Sequence, residues 1–523
     1  MAIEPQQTMD LIKAAAECED RGEWREAADL FQEALPMAPL EAELWFRAGA
    51  NLHRSGLTEK SLQFLEKATM LSPKNAIYEL ERGDALQGMR RLREAVIAYG
   101  HVLEIEPRNV TAYTNLGIAL HEGGHPVESI ANLECALEIA PDDPIVRLNY
   151  GTAHIKMGNV DIALEQFRMA TTLDPNNAEA WSNLGFALQE VREYDDAITS
   201  HRRALELNLE NPGIHWNYSM TLLLLGDYST GFSEYEYRRQ IADKKPRAFD
   251  APEWVDQDLS GKRLLIHAEQ GIGDTLQFAR FLPNLAAMGA EVIVATHSAP
   301  ASLIAEVSGV SCVLAGSEAP PPHDLQLPLL SLPYRLNIQL ENLPGAVPYI
   351  SAPPEPFHFE SDQNLLKIGL VWAGNPSHAN DRNRSCPFEE LVPLIRGHNA
   401  NWYSLQVGPR AIPHQTSKLP IIDLAPFLTD FSRTAAAIEA LDLIVTVDTA
   451  VAHLAGAMGK QVWILLPYAP DWRWMIDRRD SPWYPSATLF RQTEPGDWKA
   501  VISDVNNALR SHGNSIDPYR LPL

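Results

Sequence analysis

The apolar and small positions of the first half of the chain recur every 34 residues without a gap, in units beginning at residues 8, 42, 76, 110, 144, 178 and 212. Each unit reads as two amphipathic helices. Its eighth position holds Ala15, Gly49, Gly83, Gly117, Gly151, Gly185 and Ser219, and its twentieth holds Ala27, Ser61, Ala95, Ser129, Ala163, Ala197 and Gly231. Small residues at these two places let the helices of one unit approach closely. The thirty-second position holds Pro39, Pro73, Pro107, Pro141 and Pro175, then lapses at Leu209. A proline there stops the second helix and starts the next unit. Such units stack into an elongated α-solenoid with a concave groove lined by the first helix of each unit, the terminal units looser as caps.

From about Lys262 the period stops. Short apolar, β-branched runs now alternate with helical segments: "RLLIHA", "EVIVATH", "SCVLAG", then "KIGLVWAG", "NWYSLQVG", "LDLIVTVD" and "QVWILLP". Strands alternating with helices predict parallel sheets with helices on both faces. The proline-rich stretch "SAPPEPFHFESDQN", Ser351 to Asn364, divides the strands into two groups. The expected organisation is a repeat solenoid over 1–245, a connector over 246–261, a first Rossmann-like half over 262–350, a linker over 351–366, a second Rossmann-like half over 367–512 and a tail over 513–523.

Composition narrows the partners. The net charge of −25 over 523 residues argues against nucleic acid, which needs clustered Lys and Arg. No stretch approaches the roughly 18 apolar residues of a membrane helix. The start, "MAIEPQQTMD", has neither the basic region nor the apolar core of a secretory signal. Cys18, Cys135, Cys312 and Cys386 are far apart, with no paired or metal-type spacing. They read as buried thiols of a reducing compartment, so the expected location is cytoplasmic.

Ligands of open α/β sheets bind beyond the carboxyl ends of strands, and three strand ends here carry suitable residues. The first is "HAEQGIGD". Gly271 and Gly273 let a ligand lie against the backbone, and Asp274 opens a helix, either as a general base or merely as a cap. The second is "VWAGNPSHANDRNRS", where Arg382 and Arg384 can hold phosphate oxygens in a fork or simply be solvated. The third is "VTVDTAVAHLAGAMG". There Asp448 and Thr449 precede a helix whose free N–H groups and dipole favour an anion, although both are also ordinary caps. "DQD" at Asp256 to Asp258 lies in the connector and reads as turn chemistry rather than a metal motif. Among the aromatic residues of "LLPYAPDWRWMIDRRDSPWYPS", Tyr468 and Trp472 are candidates to stack a base or sugar, against the alternative that they pack the loop. In the repeats, the sixth position reads Lys13, Arg47, Glu81, Asn115, Asn149, Asn183, Asn217. Four successive asparagines can pair with the backbone of an extended peptide, or they can serve inter-repeat hydrogen bonds.

Two resemblances sharpen this. "AWSNLGFALQEVREYDDAITSHRRALELN" resembles the tetratricopeptide repeat. "GIGDTLQFARFLPNL" and "VDTAVAHLAGAMGKQVWILLP" resemble the heptosyltransferase-like branch of GT-B glycosyltransferases over roughly residues 262 to 512. The resemblance implies an α/β GT-B fold and a metal-independent transfer without cofactor. It makes Asp274 the catalytic carboxylate and assigns the donor phosphates to an Asp-Ser/Thr-Gly-x-x-His element, here Asp448, Thr449 and His453 with Ala450 in place of the glycine. Asn375 and His378 fall beside Arg382 and Arg384 on the donor side. His267 and His378 are rival bases, the first open to burial in its strand. Joined to such repeats, the domain is similar to bacterial flagellin and other protein O-glycosyltransferases, in which the repeats hold the protein acceptor. The resemblance therefore implies transfer from a nucleotide-sugar to Ser or Thr of a protein, with flagellin a candidate. The alternatives are a repeat-based scaffold with a non-catalytic GT-B half, or a lipid-directed transferase.

Overall fold

The computed structural model describes residues 5–241, 247–358, 364–378, 380–411 and 418–512. The expected tail, 513–523, lies outside the described residues, as do parts of the connector and linker. The chain divides into two compact units, Met1–Leu188 and Gln189–Leu523.

The first unit is made of helix pairs in the predicted phase, among them Ala42–Arg54 with Thr58–Leu71, Ala76–Gly88 with Leu92–Ile105, and Pro144–Met157 with Val160–Leu173. The small eighth position is explained by contact. A Cβ on Gly83 would lie 2.5 Å from the Tyr99 ring, and one on Gly151 would lie 2.6 Å from the Phe167 ring. The twentieth position is equally crowded: Ser61, Ala95, Ser129 and Ala163 are all fully buried. The second helices end at Leu71, Ile105, Ile139 and Leu173, two residues before each repeat proline. The following residues cap the next unit: the side chains of Asn75, Asn109 and Asp143 accept from Ile77, Ala112 and Ile145 N–H.

The repeats do not close as a separate body at residue 245. The helices Tyr194–Leu207, Pro212–Leu224 and Tyr228–Tyr235 belong to the second unit with the α/β part. The reason is packing: Tyr228, Phe232 and Tyr235 share one buried cluster with Trp472, Trp474 and Trp483, and the Trp483 indole donates to Tyr228 Oη at 2.9 Å.

The α/β part contains two parallel sheets. The first holds β1 (Arg263–His267), β2 (Glu291–Thr296), β3 (Val310–Ala315) and β4 (Leu325–Pro328), in the order β3-β2-β1-β4. The second holds β5 (Lys367–Val371), β6 (Asn401–Ser404), β7 (Ile421–Asp423), β8 (Leu443–Val447), β9 (Val462–Leu466) and β10 (Ala487–Arg491), in the order β10-β9-β8-β5-β6-β7. Counted within their own halves, the strands run 3-2-1-4 and 6-5-4-1-2-3. The second is the doubly wound order, whose switch point lies between β5 and β8. The seven predicted strands are all present. β4, β7 and β10 were not expected: β4 ends in proline, β7 is a three-residue edge strand, and β10 is only partly apolar. Asp258 accepts from the N–H and hydroxyl of Ser260 at 3.0 and 2.8 Å, which is turn chemistry. Among the described residues, no helix is long and apolar enough to cross a membrane.

Candidate functional site

The loop after β1 leads into the helix Ile272–Phe278, with Gly271 at its N-cap. Asp274 does two things at once. Its Oδ2 accepts from the Gly271 N–H at 2.8 Å, so it caps its own helix. Its Oδ1 accepts from Arg473 Nη2 at 2.5 Å, across the seam between the two α/β halves. The side chain is 18% exposed, and each oxygen keeps a further lone pair. Arg473 is anchored in turn by Gln277 Oε1 at 2.6 Å and Asp471 Oδ1 at 2.9 Å. Burial alone would discourage its charge, but Asp471 and Asp274 hold it firmly protonated.

Gly273 corrects the expectation that both glycines make room for a ligand. A Cβ there would lie 2.9 Å from His453 Cδ2 and 3.7 Å from the Ala450 Cα. The missing side chain lets this helix cross the helix Ala450–Ala457 of the other half. At Gly271 a Cβ would meet only Asp274 Oδ2, at 3.1 Å.

On the second half, Thr449 is extended and is the N-cap of Ala450–Ala457, yet its side chain makes no cap bond. Its hydroxyl lies 3.2 Å from that of Thr446. Asp448, just beyond β8, is pushed up to about 6 by burial and by the charge of Asp471, against the pull of Arg384. His453 is 5% exposed. Its Nδ1 pairs with Tyr484 Oη at 2.9 Å, and its ring stacks on Trp474. Burial and the charges of Arg473, Arg280 and Arg384 keep it neutral, well below the usual histidine range. It therefore buttresses the helix start from beneath.

The loop after β5 completes the arrangement. Asn375 Oδ1 accepts from the N–H and hydroxyl of Ser377 at 3.1 and 2.9 Å, which shapes the turn. His378 is exposed, accepts from the Asn380 N–H, and is lowered by partial burial and by Arg384. Arg384 donates to the Asp448 carbonyl at 3.1 Å and faces the buried Asp381 at 3.7 Å, so it ties the two strand-end loops together. Arg382 is exposed. Thus β5 and β8 bring Arg384, His378, Asp448 and Thr449 to their switch point, and Arg473 joins Asp274 to them.

Other expectations are not met in this geometry. Trp472 is 3% exposed and packs against Tyr228, Phe232 and Trp483, leaving no face for a ligand. The Tyr468 ring lies under the Arg192 guanidinium at 4.1 Å, and its carbonyl accepts from the same side chain at 2.8 Å. His267 is 2% exposed, pairs with Gln326 Oε1 at 2.9 Å, and is held at about 4 by burial, so it is a neutral core residue. The asparagines do not form a uniform ladder. Asn115 donates to Asp84 Oδ1 at 2.8 Å and Asn183 to Thr152 Oγ1 at 3.3 Å, each one repeat back. Asn149 turns to the Ile145 carbonyl of its own helix. Asn217 is partly buried, with its carbonyl accepting from Thr221 Oγ1 at 3.4 Å. Sequence reasoning missed Arg473 and Asp471. Their signal stood in "PDWRWM", where an acid and an arginine alternate with the two tryptophans.

Residues 19–76, 80–144, 151–191 and 180–213 match the tetratricopeptide repeat family. The helical units are tetratricopeptide repeats. Protein FlbA of Caulobacter vibrioides is 27% identical over 328 residues, 56% of this chain and 54% of that protein. The chain thus spans about half the length of that curated relative. Among solved structures, a tetratricopeptide repeat protein from Parabacteroides merdae has a TM-score of 0.41 at 15% identity, covering 45% of this chain and 94% of its own. YrrB, a TPR protein with an unusual peptide-binding site, has a TM-score of 0.30 at 22% identity, covering 36% of this chain and 96% of its own. At such scores these two likenesses carry no further argument. Tetratricopeptide repeats are protein-interaction modules, and here they are fused to two parallel α/β sheets.

Proposed function

We propose that the chain is a metal-independent protein O-glycosyltransferase of GT-B type, with the repeats recruiting the acceptor and flagellin a candidate acceptor. One observation carries this reading. Asp274 on the first half and the open helix start at Thr449 on the second meet across one seam, each beyond the carboxyl end of a strand. In the proposed step an acceptor hydroxyl attacks the anomeric carbon of a nucleotide-sugar. Its proton passes to a free lone pair of Asp274. The bond from carbon to phosphate oxygen breaks with its electron pair on the nucleotide, whose charge is met by the Ala450–Ala457 helix start and by Arg382 or Arg384. Asn375 and His378 border the donor in this scheme. The test is sugar transfer and nucleotide release from a panel of nucleotide-sugars, with and without flagellin. Asp274→Asn keeps the cap, and it should lower transfer by about 10²-fold with donor binding intact. Near-normal transfer by that variant would remove Asp274 from the mechanism.

A second reading is a binding scaffold with a non-catalytic α/β half. The observation favouring it is that both Asp274 oxygens already accept a hydrogen bond. It predicts acceptor binding without nucleotide release from any donor of the panel.

A further inference from the structure

The last repeat helix, Tyr228–Tyr235, and the short 3-10 segment Glu236–Gln240 after it reach the catalytic loop directly. Arg238 is fully buried and donates to Glu269 Oε1 at 2.6 Å and to Ser331 Oγ at 2.9 Å. Glu269 belongs to the "HAEQGIGD" stretch, and its side chain is fully buried too. Tyr235 is 1% exposed, stacked on Trp216 at 5.1 Å, and its hydroxyl donates to Gln270 Oε1 at 3.4 Å in the same stretch. Glu269 Oε2, Gln270 Nε2 and Gln277 Nε2 are buried without a protein partner among the described residues. Burial suppresses ionisation of Tyr235, and the charges that act on its hydroxyl are Arg238, Arg473, Asp274 and Glu269. Two ion pairs, Arg238–Glu269 and Arg473–Asp274, therefore flank one tyrosine carried by the repeat array.

We propose that Tyr235 is a positioning residue of the cleft: its hydroxyl, acting through Gln270, sets the 268–274 backbone on which Asp274 stands. A repeat residue then forms part of the support of the base, and the end of the array is built into the site. This rests on the glycosyl-transfer reading only for its kinetic arm. A buried neutral hydrogen bond is worth roughly fivefold in an equilibrium, and an 18%-exposed carboxylate fixed by its loop loses at least that when the loop wanders.

The test uses the full chain and Tyr235→Phe, which removes one oxygen and keeps the ring. Amide hydrogen exchange over residues 268–276 should quicken roughly fivefold, with the melting temperature nearly unchanged. With a donor that the wild type turns over, kcat should fall about fivefold or more while the donor KM stays put. Gln270→Met should reproduce both effects, and the double variant should add nothing to either single one. Unchanged exchange in Tyr235→Phe overturns the proposal, whatever the catalytic result. So does a fall in melting temperature accompanied by equal changes across the whole unit, which would mark the tyrosine as core packing. If the wild type turns over no donor, the transfer reading fails and the exchange measurement still decides this one.

Discussion

Asp448 stands where the proposed donor phosphates lie, and its environment makes a stability prediction that needs no ligand. Its carboxyl is moved from an ordinary value of 3.8 to about 6, first by burial and then by Asp471. The side chain is 14% exposed, so solvent does little to cancel this. At about 1.4 kcal/mol per pH unit, the displacement is on the order of 3 kcal/mol. The folded form prefers the protonated acid, so this contribution is fully present below about pH 4 and is lost as pH rises through 6. Asn mimics the protonated acid. Asp448→Asn should therefore match the wild type near pH 4 and exceed it by up to about 3 kcal/mol at pH 7.5. For a unit of this size that is about 3–6 °C in the melting temperature. Calorimetric scans of both chains at pH 4.5, 6 and 7.5, read on the transition of the 189–523 unit, would show the gap opening with pH. A gap of constant size, or a variant less stable at pH 7.5, would refute the reasoning. The same charge has a functional counterpart: inorganic pyrophosphate should bind the wild type more weakly above pH 6, and the variant should lose that slope.

Gly273→Ala should destabilise the same unit by about 1–3 kcal/mol, because the added methyl meets the His453 ring and not open cleft; unchanged stability would return Gly273 to the ligand side. In the repeats, Asn115→Ala and Asn183→Ala should each cost about 0.5–1.5 kcal/mol through a lost inter-repeat bond. Asn149→Ala should be neutral or stabilising, since its amide only bonds back within its own helix and Ala is the better helix former. Thermal unfolding checks all three. If these variants keep their stability but lose acceptor protein in a pull-down, the asparagines act on a peptide after all.

What the sequence made legible follows its periodicities. The 34-residue period exposed the repeats because every unit must solve the same contact: Tyr99 against Gly83 and Phe167 against Gly151 are one solution repeated. Most strands that were read are buried central ones, such as Leu443–Val447, buried at every position, although the half-exposed edge strand Val310–Ala315 was read as well. The three that were missed all lie at sheet edges: one has four residues and ends in proline, one has three residues, and one carries Thr488 and Arg491 among its apolar positions. Of the candidate site residues, Asp448 and Thr449 follow β8 directly, while Asp274 and Arg384 lie seven and thirteen residues beyond β1 and β5; all were legible because strand-end loops point to where ligands bind. Trp472 was misread for a reason of composition. An aromatic cluster offers the same letters whether it stacks a sugar or fills a core, and only the approach of Tyr228 and Phe232 decides between them.

The residues that stayed hidden are mostly arginines. Arg473 meets Asp274 across 199 positions, Arg192 meets Tyr468 across 276, and Arg238 meets Ser331 across 93. Arg192 stands at a repeat position that is usually glycine, and Arg473 lies outside any repeat; neither place announces its partner, because each contact occurs once. Their chemistry explains why arginine fills the role. A guanidinium presents five donors in a fixed plane, so one side chain can reach groups on several elements together. Arg473 does this with Asp274, Gln277 and Asp471, and Arg238 with Glu236, Glu269 and Ser331. A buried charge of this kind is costly unless every partner is in place. Such a joint therefore gives little net stability for its size, but it penalises any arrangement in which one partner has moved. That is a means of fixing geometry, and two such joints, Arg238 with Glu269 and Arg473 with Asp274, hold the loop that carries Asp274.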